Sequence, residues 1–316
     1  MKEAMDDEIP CFFSIDDTIL SKNSSSKKIE GLSFNYSHVS GKSEWSHCLV
    51  ALHGHSNGLS LPLDFKSYLS KEYFDQQKDR VFKNKLELAL DTLEDVELQR
   101  EKESYVLVDS WYTSEKFING SQKLGFQVIG GIKSNRIFYP DGIKNKLNEF
   151  SNEIDKETLD VVTVKNVEHH FYRYEGPIKG IENIVILILW QKKHGELIKP
   201  FYLICTNTAL TTKEIIEYYG YRWEIEVSFR YKKQRLGLND YEMRTFKGIE
   251  RFWSLVYLIY NFVEIERYKS NVKENFGVIL DKIKIKNKAD FIGFIYDKFS
   301  EGKSKEELLL NLGIPA

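Results

Sequence analysis

The segment YGYRWEIEVSFRYKK (residues 219–233) carries Tyr219, Arg222, Glu226 and Lys233 with the spacing Y-(2)-R-(3)-E-(6)-K. At about 100° per residue, those four side chains fall within an arc of roughly 60° on a helix. One carboxylate then shares a stripe with two cations and a phenol. Such a stripe suits a divalent metal held against a phosphodiester, with the carboxylate on the metal and the cations on phosphate oxygens. It also describes an ordinary solvated helix face. The period is itself divided, because residues 221–231 alternate apolar and polar as a strand does. Against that, Thr211-x-x-Glu214 ahead of Ile215 and Ile216 is a capping box, and Gly237 suits a helical stop. The span from Thr211 to Gly237 also far exceeds the usual strand of about 5–6 residues. Length and caps predict a helix; on a strand, Glu226 and Lys233 would point to opposite faces.

Working back towards the N-terminus, the FYLIC run (residues 201–205) reads as a core strand. Residues 141–200 hold strand-like pieces split by charged turns, which predicts a β-rich insertion. Before it, residues 104–108 (SYVLV) form a continuous apolar strand delivering Asp109 at its end, then a helix over 114–124 and a strand over 126–130. Leu86, Leu90, Leu93 and Val96 make a helical stripe within residues 83–100. Three early strands, CFFSI (11–15), GLSFNYSHV and HCLVALHGH, suggest an antiparallel meander, the first running into Asp16 and Asp17. Strands first and alternating helix and strand afterwards predict a mixed α/β sheet. Three carboxylates of distant origin, Asp16 or Asp17, Asp109 and Glu226, thus stand at two strand ends and one helix. Two Mg²⁺ ions about 3.5–4 Å apart need such shared carboxylates.

The 316 residues allow one large domain with an insertion, and 42% hydrophobic with 14% aromatic residues describes a globular chain. The longest apolar run, residues 184–190, is far short of the roughly 20 needed to span a bilayer. MKEAMDDEIP is no signal peptide, and Cys11, Cys48 and Cys205 form no CxxC, so a cytoplasmic protein without membrane partners is expected. A net charge of −2 argues against general polyanion coating, although Arg230, Lys232, Lys233 and Arg235 form an acid-free basic run. The lysines at 282, 284, 286 and 288 alternate with apolar residues and read as a solvated face. His53 and His55 share a strand face as zinc ligands can, but no third ligand accompanies them locally. Glu168, His169 and His170 have no argued role.

SIDDT (14–18), VDSWY (108–112), GGIKSNR (130–136), YRYEGP (172–177), RWEIEVSFR (222–230) and LGLNDY (236–241) resemble DDE-type bacterial insertion-sequence transposases of the Y-R-E-K branch. The resemblance covers about residues 11–267. It implies a ribonuclease H-like fold, a mixed sheet flanked by helices, with a β-rich insertion before the catalytic glutamate. The implied organisation is a core over 1–140 and 201–270, the insertion over 141–200 and a helical extension over 271–316. Asp109 and Glu226 match the second and third acids of the family, and Asp16 is chosen over Asp17 as the first. Mg²⁺-dependent cutting at transposon ends and joining to target DNA are implied, with two ions that Mn²⁺ can replace and a homodimer holding the double-stranded ends. Tyr219, Arg222, Lys233, Arg230 and Lys133 are the implied DNA contacts, with Arg136 beside them. Relatives with this signature cut the second strand through a hairpin, which demands an unstacked end base. Trp190 is available to stack on it, although a tryptophan on that strand also reads as core. Members of the family carry a DNA-binding segment before the first aspartate, whereas only 15 residues precede Asp16. The expectation is therefore a catalytic core that binds ends and random DNA alike. The competing reading is a truncated remnant acting as an inhibitory partner, or inactive.

Overall fold

In the computed structural model, residues 10–75, 81–98, 102–270 and 274–313 are described. Most of the short N-terminal stretch before Asp16 (residues 1–9), residues 99 and 100 of the expected 83–100 helix and the start of the 271–316 extension lie outside them. That helix ends earlier than expected, at Glu94, so Val96 of the predicted stripe falls after it.

Strands β1 (Cys11–Ser21), β2 (Ser33–Ser37), β3 (Lys42–Ser56) and β4 (Leu59–Tyr68) form the antiparallel meander. The sequence reading has three of these strands and misses β4. Asn57 and Gly58 both adopt positive φ (47° and 76°), which is the turn that closes the β3–β4 hairpin. After the short α1 (Lys71–Asp75) come α2 (Lys85–Glu94), β5 (Ser104–Val108), α3 (Glu115–Lys123) and β6 (Gln127–Gly131). Next follow β7 (Ile137–Phe138), β8 (Asn145–Lys146), α4 (Leu147–Glu153), β9 (Asp160–Val164), β10 (Val167–Ile178), β11 (Ile181–Lys193), β12 (Glu196–Leu197) and β13 (Phe201–Cys205).

The main sheet runs β2-β3-β1-β5-β6-β13-β11-β10-β9. β5 is parallel to both β1 and β6, while β13, β11, β10 and β9 continue the sheet antiparallel. An antiparallel meander followed by two parallel strands, covered by helices, is a ribonuclease H-like α/β fold. The strands supplied by residues 141–200 extend that same sheet beyond β13. Alternation along β1 divides the core into two faces. Cys11, Phe13 and Ile15 pack with Val106, Val108, Tyr112, Phe117 and the α2 residues Ala89 and Leu93. Phe12 turns the other way, to Tyr105, Leu107, Ile129 and Ile215.

The late segment is helical, as length and caps predict, but in two pieces: α5 (Thr212–Gly220) and α6 (Trp223–Arg235). The Thr211–Glu214 capping box is present in full. Between the helices the main chain stays right-handed and tightens: Tyr221 N donates to Tyr218 O, Arg222 N to Tyr219 O, and Glu224 N to Tyr221 O. These three-residue steps are 3₁₀ winding, which turns faster than an α-helix. The strand-like alternation of 221–231 yields to packing. Ile225, Ser228, Phe229 and Lys232 form the buried stripe of α6, with Ile225 and Phe229 against Ala51 of β3.

Two compact units are present, Met1–Tyr257 and Leu258–Ala316, with the division inside α7 (Phe246–Lys269). In the first, Phe246, Ile249, Trp253 and Tyr257 pack with Leu20, Leu49 and Tyr241. In the second, α8 (Phe276–Ser300) and α9 (Lys305–Asn311) accompany the end of α7, where Tyr260 stacks on Phe276 at 4.4 Å. Lys282, Lys284, Lys286 and Lys288 of α8 are exposed, as expected of a solvated face.

Candidate active site

Asp16 and Asp17 lie within β1 rather than after it, because β3 is long enough to pair with β1 from Phe12 to Ser21. The pleat then sends the two side chains to opposite faces. Asp16 follows Phe12 onto the face of α5 and α6, whereas Asp17 follows Ile15 onto the face of α2. The β1–β5 ladder pairs Cys11 with Ser104 and Ser14 with Leu107. The same offset of 93 residues brings Asp16 level with Asp109, two steps beyond the last pair on the neighbouring strand. Strands lie about 4.8 Å apart, so the two carboxylates arise side by side.

The Asp109 carboxylate accepts from the main-chain N–H of Trp111 at 2.9 Å and of Tyr112 at 3.4 Å, which folds the turn after β5. At the N-cap of α6, Arg222 bridges the acids: Nη1 is 3.3 Å from Asp16 Oδ2, and Nη2 pairs with Glu226 Oε1 one helical turn on. Asp16 and Glu226 are thus joined across one guanidinium. Burial, reinforced by the negative charge of Asp109 and opposed by Arg222, pushes the Asp16 carboxyl up to about 7. Burial also raises the Tyr219 phenol, whose ring lies 5.8 Å from the Arg222 guanidinium carbon. Gly131 of β6 makes room here: a Cβ would lie 3.1 Å from Ser110 N and 3.4 Å from Tyr219 Oη.

The donors are oxygen only, from three carboxylates, which suits a hard cation such as Mg²⁺ or Mn²⁺. Two acids held side by side in a desolvated place, with one guanidinium to neutralise them, fit such an ion. Among the described residues no three His, Cys, Asp or Glu side chains are already gathered as a coordination shell. Arg222 stands between Asp16 and Glu226.

The basic run does not form one surface. Its residues point in different directions around α6, because each step turns the helix by about 100°. Arg230 is exposed, but Lys232 is fully buried with Nζ 3.5 Å from the Tyr257 ring centroid. Lys233 Nζ donates to the Ile19 carbonyl of β1 at 2.9 Å, and burial lowers its pKa. Burial likewise holds Lys232 well below the usual lysine range. An unfolded chain therefore takes up a proton that the folded one resists, and stability is lost as pH falls below the ordinary lysine value. Lys232→Met is expected to stabilise the fold at pH 7 by on the order of 1 kcal/mol, with a smaller gain near pH 10. Thermal melts at the two pH values check this.

Lys133 is exposed in the turn after β6, and Arg136 reaches back to the Thr113 carbonyl at 3.5 Å. Trp190 is buried, with Lys156 Nζ 4.4 Å over its ring, so the core reading holds. Among the described residues the exposed tryptophans are Trp111, two residues after Asp109, and Trp223, next to Arg222, and neither lies in the insertion. His53 bonds Ser60 Oγ at 2.7 Å, and burial holds it neutral, while His55 stacks on Tyr221 at 4.3 Å. A cavity of about 390 Å³ opens beside Tyr219, walled by Phe201, Leu189, Leu203 and Ile216 and bordered by His169 and Lys199. His169 Nδ1 is buried there without a hydrogen-bond partner among the described residues.

Carboxylates on β1, after β5 and on a late helix of a ribonuclease H-like sheet define a nuclease-type enzyme. A family model described as DDE superfamily endonuclease matches residues 1–148, and one described as Transposase DDE domain matches residues 83–262. The second spans more than half of the chain, which belongs to the DDE transposase family and carries a transposase catalytic core. No curated protein matches the chain. Among the described residues no helix is long and apolar enough to cross a membrane.

Proposed function

We propose that this chain cuts DNA at transposon ends and joins them to target DNA in a Mg²⁺-dependent reaction, as a member of the Y-R-E-K branch. The observation that carries the reading is the closeness of Asp16 and Asp109, just past the ends of paired neighbouring strands, with Glu226 tied to Asp16 through Arg222. Asp16, Asp109 and Glu226 would hold two divalent ions. Bound there, the ions supply an activated water or 3′-hydroxyl and charge stabilisation for the departing 3′-oxygen.

The residues of the chain do the rest. Asp16 and Asp109 stand just beyond the last pair of two adjacent strands, which brings them near each other before substrate arrives. Arg222, once drawn off the carboxylates, is placed to take a phosphate oxygen, with Tyr219 beside it. Lys233, held to the Ile19 carbonyl, adds positive charge behind β1 and would reach phosphate only by releasing that bond. Exposed Arg230 and Lys133 are offered to flanking phosphates. An unstacked terminal base finds room in the cavity beside Tyr219, whose volume of about 390 Å³ lies within the roughly 300–1,000 Å³ of small-molecule sites. Phe201 gives it an aromatic wall.

The test is incubation of supercoiled plasmid bearing the terminal repeats of the element with the protein in Mg²⁺, Mn²⁺ or EDTA. Nicks leaving 3′-hydroxyl ends, in metal only, are expected. Cleavage in EDTA, or ends bearing a 3′-phosphate, would rule the reading out.

A further inference from the structure

Nothing in the β-ladder fixes the separation of Asp16 from Asp109. The β1–β5 pairing ends at Ser14 and Leu107, so both acids lie beyond the last main-chain pair. Side chains bridge the gap. Thr113 Oγ1 donates to the Gly131 carbonyl at 2.8 Å, which fastens the turn after Asp109 to β6. On the other side, the Tyr112 hydroxyl donates to Asp17 Oδ1 at 3.2 Å, which fastens the same turn to β1. Tyr112 is fully buried, and its main-chain N–H also points at Asp109. A single residue therefore touches the carboxylate of one acid and the strand neighbour of the other.

Asp17 is equipped for a holding role. It faces away from Asp16, Lys85 Nζ lies 2.6 Å from its Oδ2, and the Cys48 thiol donates to it at 3.6 Å. The Lys85 charge neutralises it, so that it does not compete with Asp16 for a cation. Lys85 itself opens α2 immediately after the Asn84 cap, in a capping box that fixes the start of that helix.

We propose that Tyr112 and Asp17 are a positioning pair that sets the Asp16–Asp109 spacing from behind the sheet, and thereby the affinity of the site for its divalent ions. The inference rests on the metal-dependent reading above. Partners one shell out from metal ligands typically change affinity by about 10–100-fold when lost. Tyr112→Phe removes one oxygen and keeps the buried ring.

Isothermal titration of the full chain with Mn²⁺, without DNA, is the measurement. Tyr112→Phe is expected to weaken binding by about 10-fold or more, while its melting profile in EDTA stays cooperative. Asp17→Asn keeps an oxygen that accepts from Tyr112 and should fall less than Tyr112→Phe. Combined with Tyr112→Phe it should add little, because the two changes break one link. Wild-type Mn²⁺ affinity in a folded Tyr112→Phe protein would overturn the proposal. Asp109→Ala separates the two levels: if it also binds Mn²⁺ as wild type does, the metal-site reading fails and takes this inference with it. If Asp109→Ala loses binding and Tyr112→Phe does not, only the positioning pair is wrong.

Discussion

Glu226→Gln is expected to lower Mg²⁺-dependent cleavage by at least about 10³-fold, the scale seen when a group acting within a catalytic unit is removed. The substitution keeps the side-chain length and leaves an amide oxygen for Arg222, which now pairs with the carboxylate from one turn away. Folding should therefore change little. Glu226 lies in the first turn of α6, where a negative charge is mildly favoured, a term of about 0.3–1 kcal/mol. Duplex affinity should hold or rise, since a negative charge beside the phosphates is gone. The pattern to look for is cleavage lost, binding retained and melting temperature nearly unchanged, measured by single-turnover cleavage, salt-controlled titration and thermal denaturation. Cleavage within a few-fold of wild type would remove Glu226 from the chemistry.

The start of α5 is legible because caps are local: Thr211 and Glu214 satisfy each other within one turn whatever the rest of the chain does. The separate start of α6, which bears Glu226, is not, because Arg222 at its N-cap makes no side-chain cap. Asp109 is legible, as the polar residue ending a fully buried strand. The placement of Asp16 and Asp17 is not, since the apolar run of β1 stops at Ile15, ahead of both acids. Only the partner strand shows that pairing continues to Ser21 and that the pleat separates their faces. β4 is hidden in the sequence although Asn57-Gly58 marks the turn, because Pro62 interrupts the run at the place where the β3–β4 register shifts. The basic run misled for a different reason. Contiguity in sequence is not contiguity on a helix, and Lys232 takes the buried stripe while Arg230 stays in solvent. The link from Tyr112 to Asp17 depends on the β1–β5 register, which no local pattern encodes.

Asp16→Asn is expected to stabilise the metal-free protein above pH 7 while abolishing its cleavage. The folded carboxyl is raised from 3.8 to about 7, first by burial and then by the charge of Asp109. Between those values the folded chain holds a proton that the unfolded chain has released. Stability therefore falls as pH rises through that window, and the penalty is complete above about pH 7. Asparagine carries no charge at any of these pH values and escapes the penalty. A shift of this size corresponds to an upper bound of about 4 kcal/mol. The attraction of Arg222 is already contained in that raised value, and relaxation around the buried charge lowers the penalty further, so a net gain of about 1–3 kcal/mol at pH 8 is expected. Near pH 4 the variant and wild type should melt together, because Asp16 is then protonated in the folded state. Divalent ion should reverse the order. An ion bound by Asp16 and Asp109 would stabilise the native wild type by mass action and leave the variant nearly untouched. Melting curves from pH 4 to 8, in EDTA and in Mn²⁺, decide the matter. An Asp16→Asn protein less stable than wild type at pH 8 in EDTA would mean that the Arg222 ion pair outweighs the repulsion from Asp109. Asp16 would then be a structural carboxylate rather than one held in readiness for a cation.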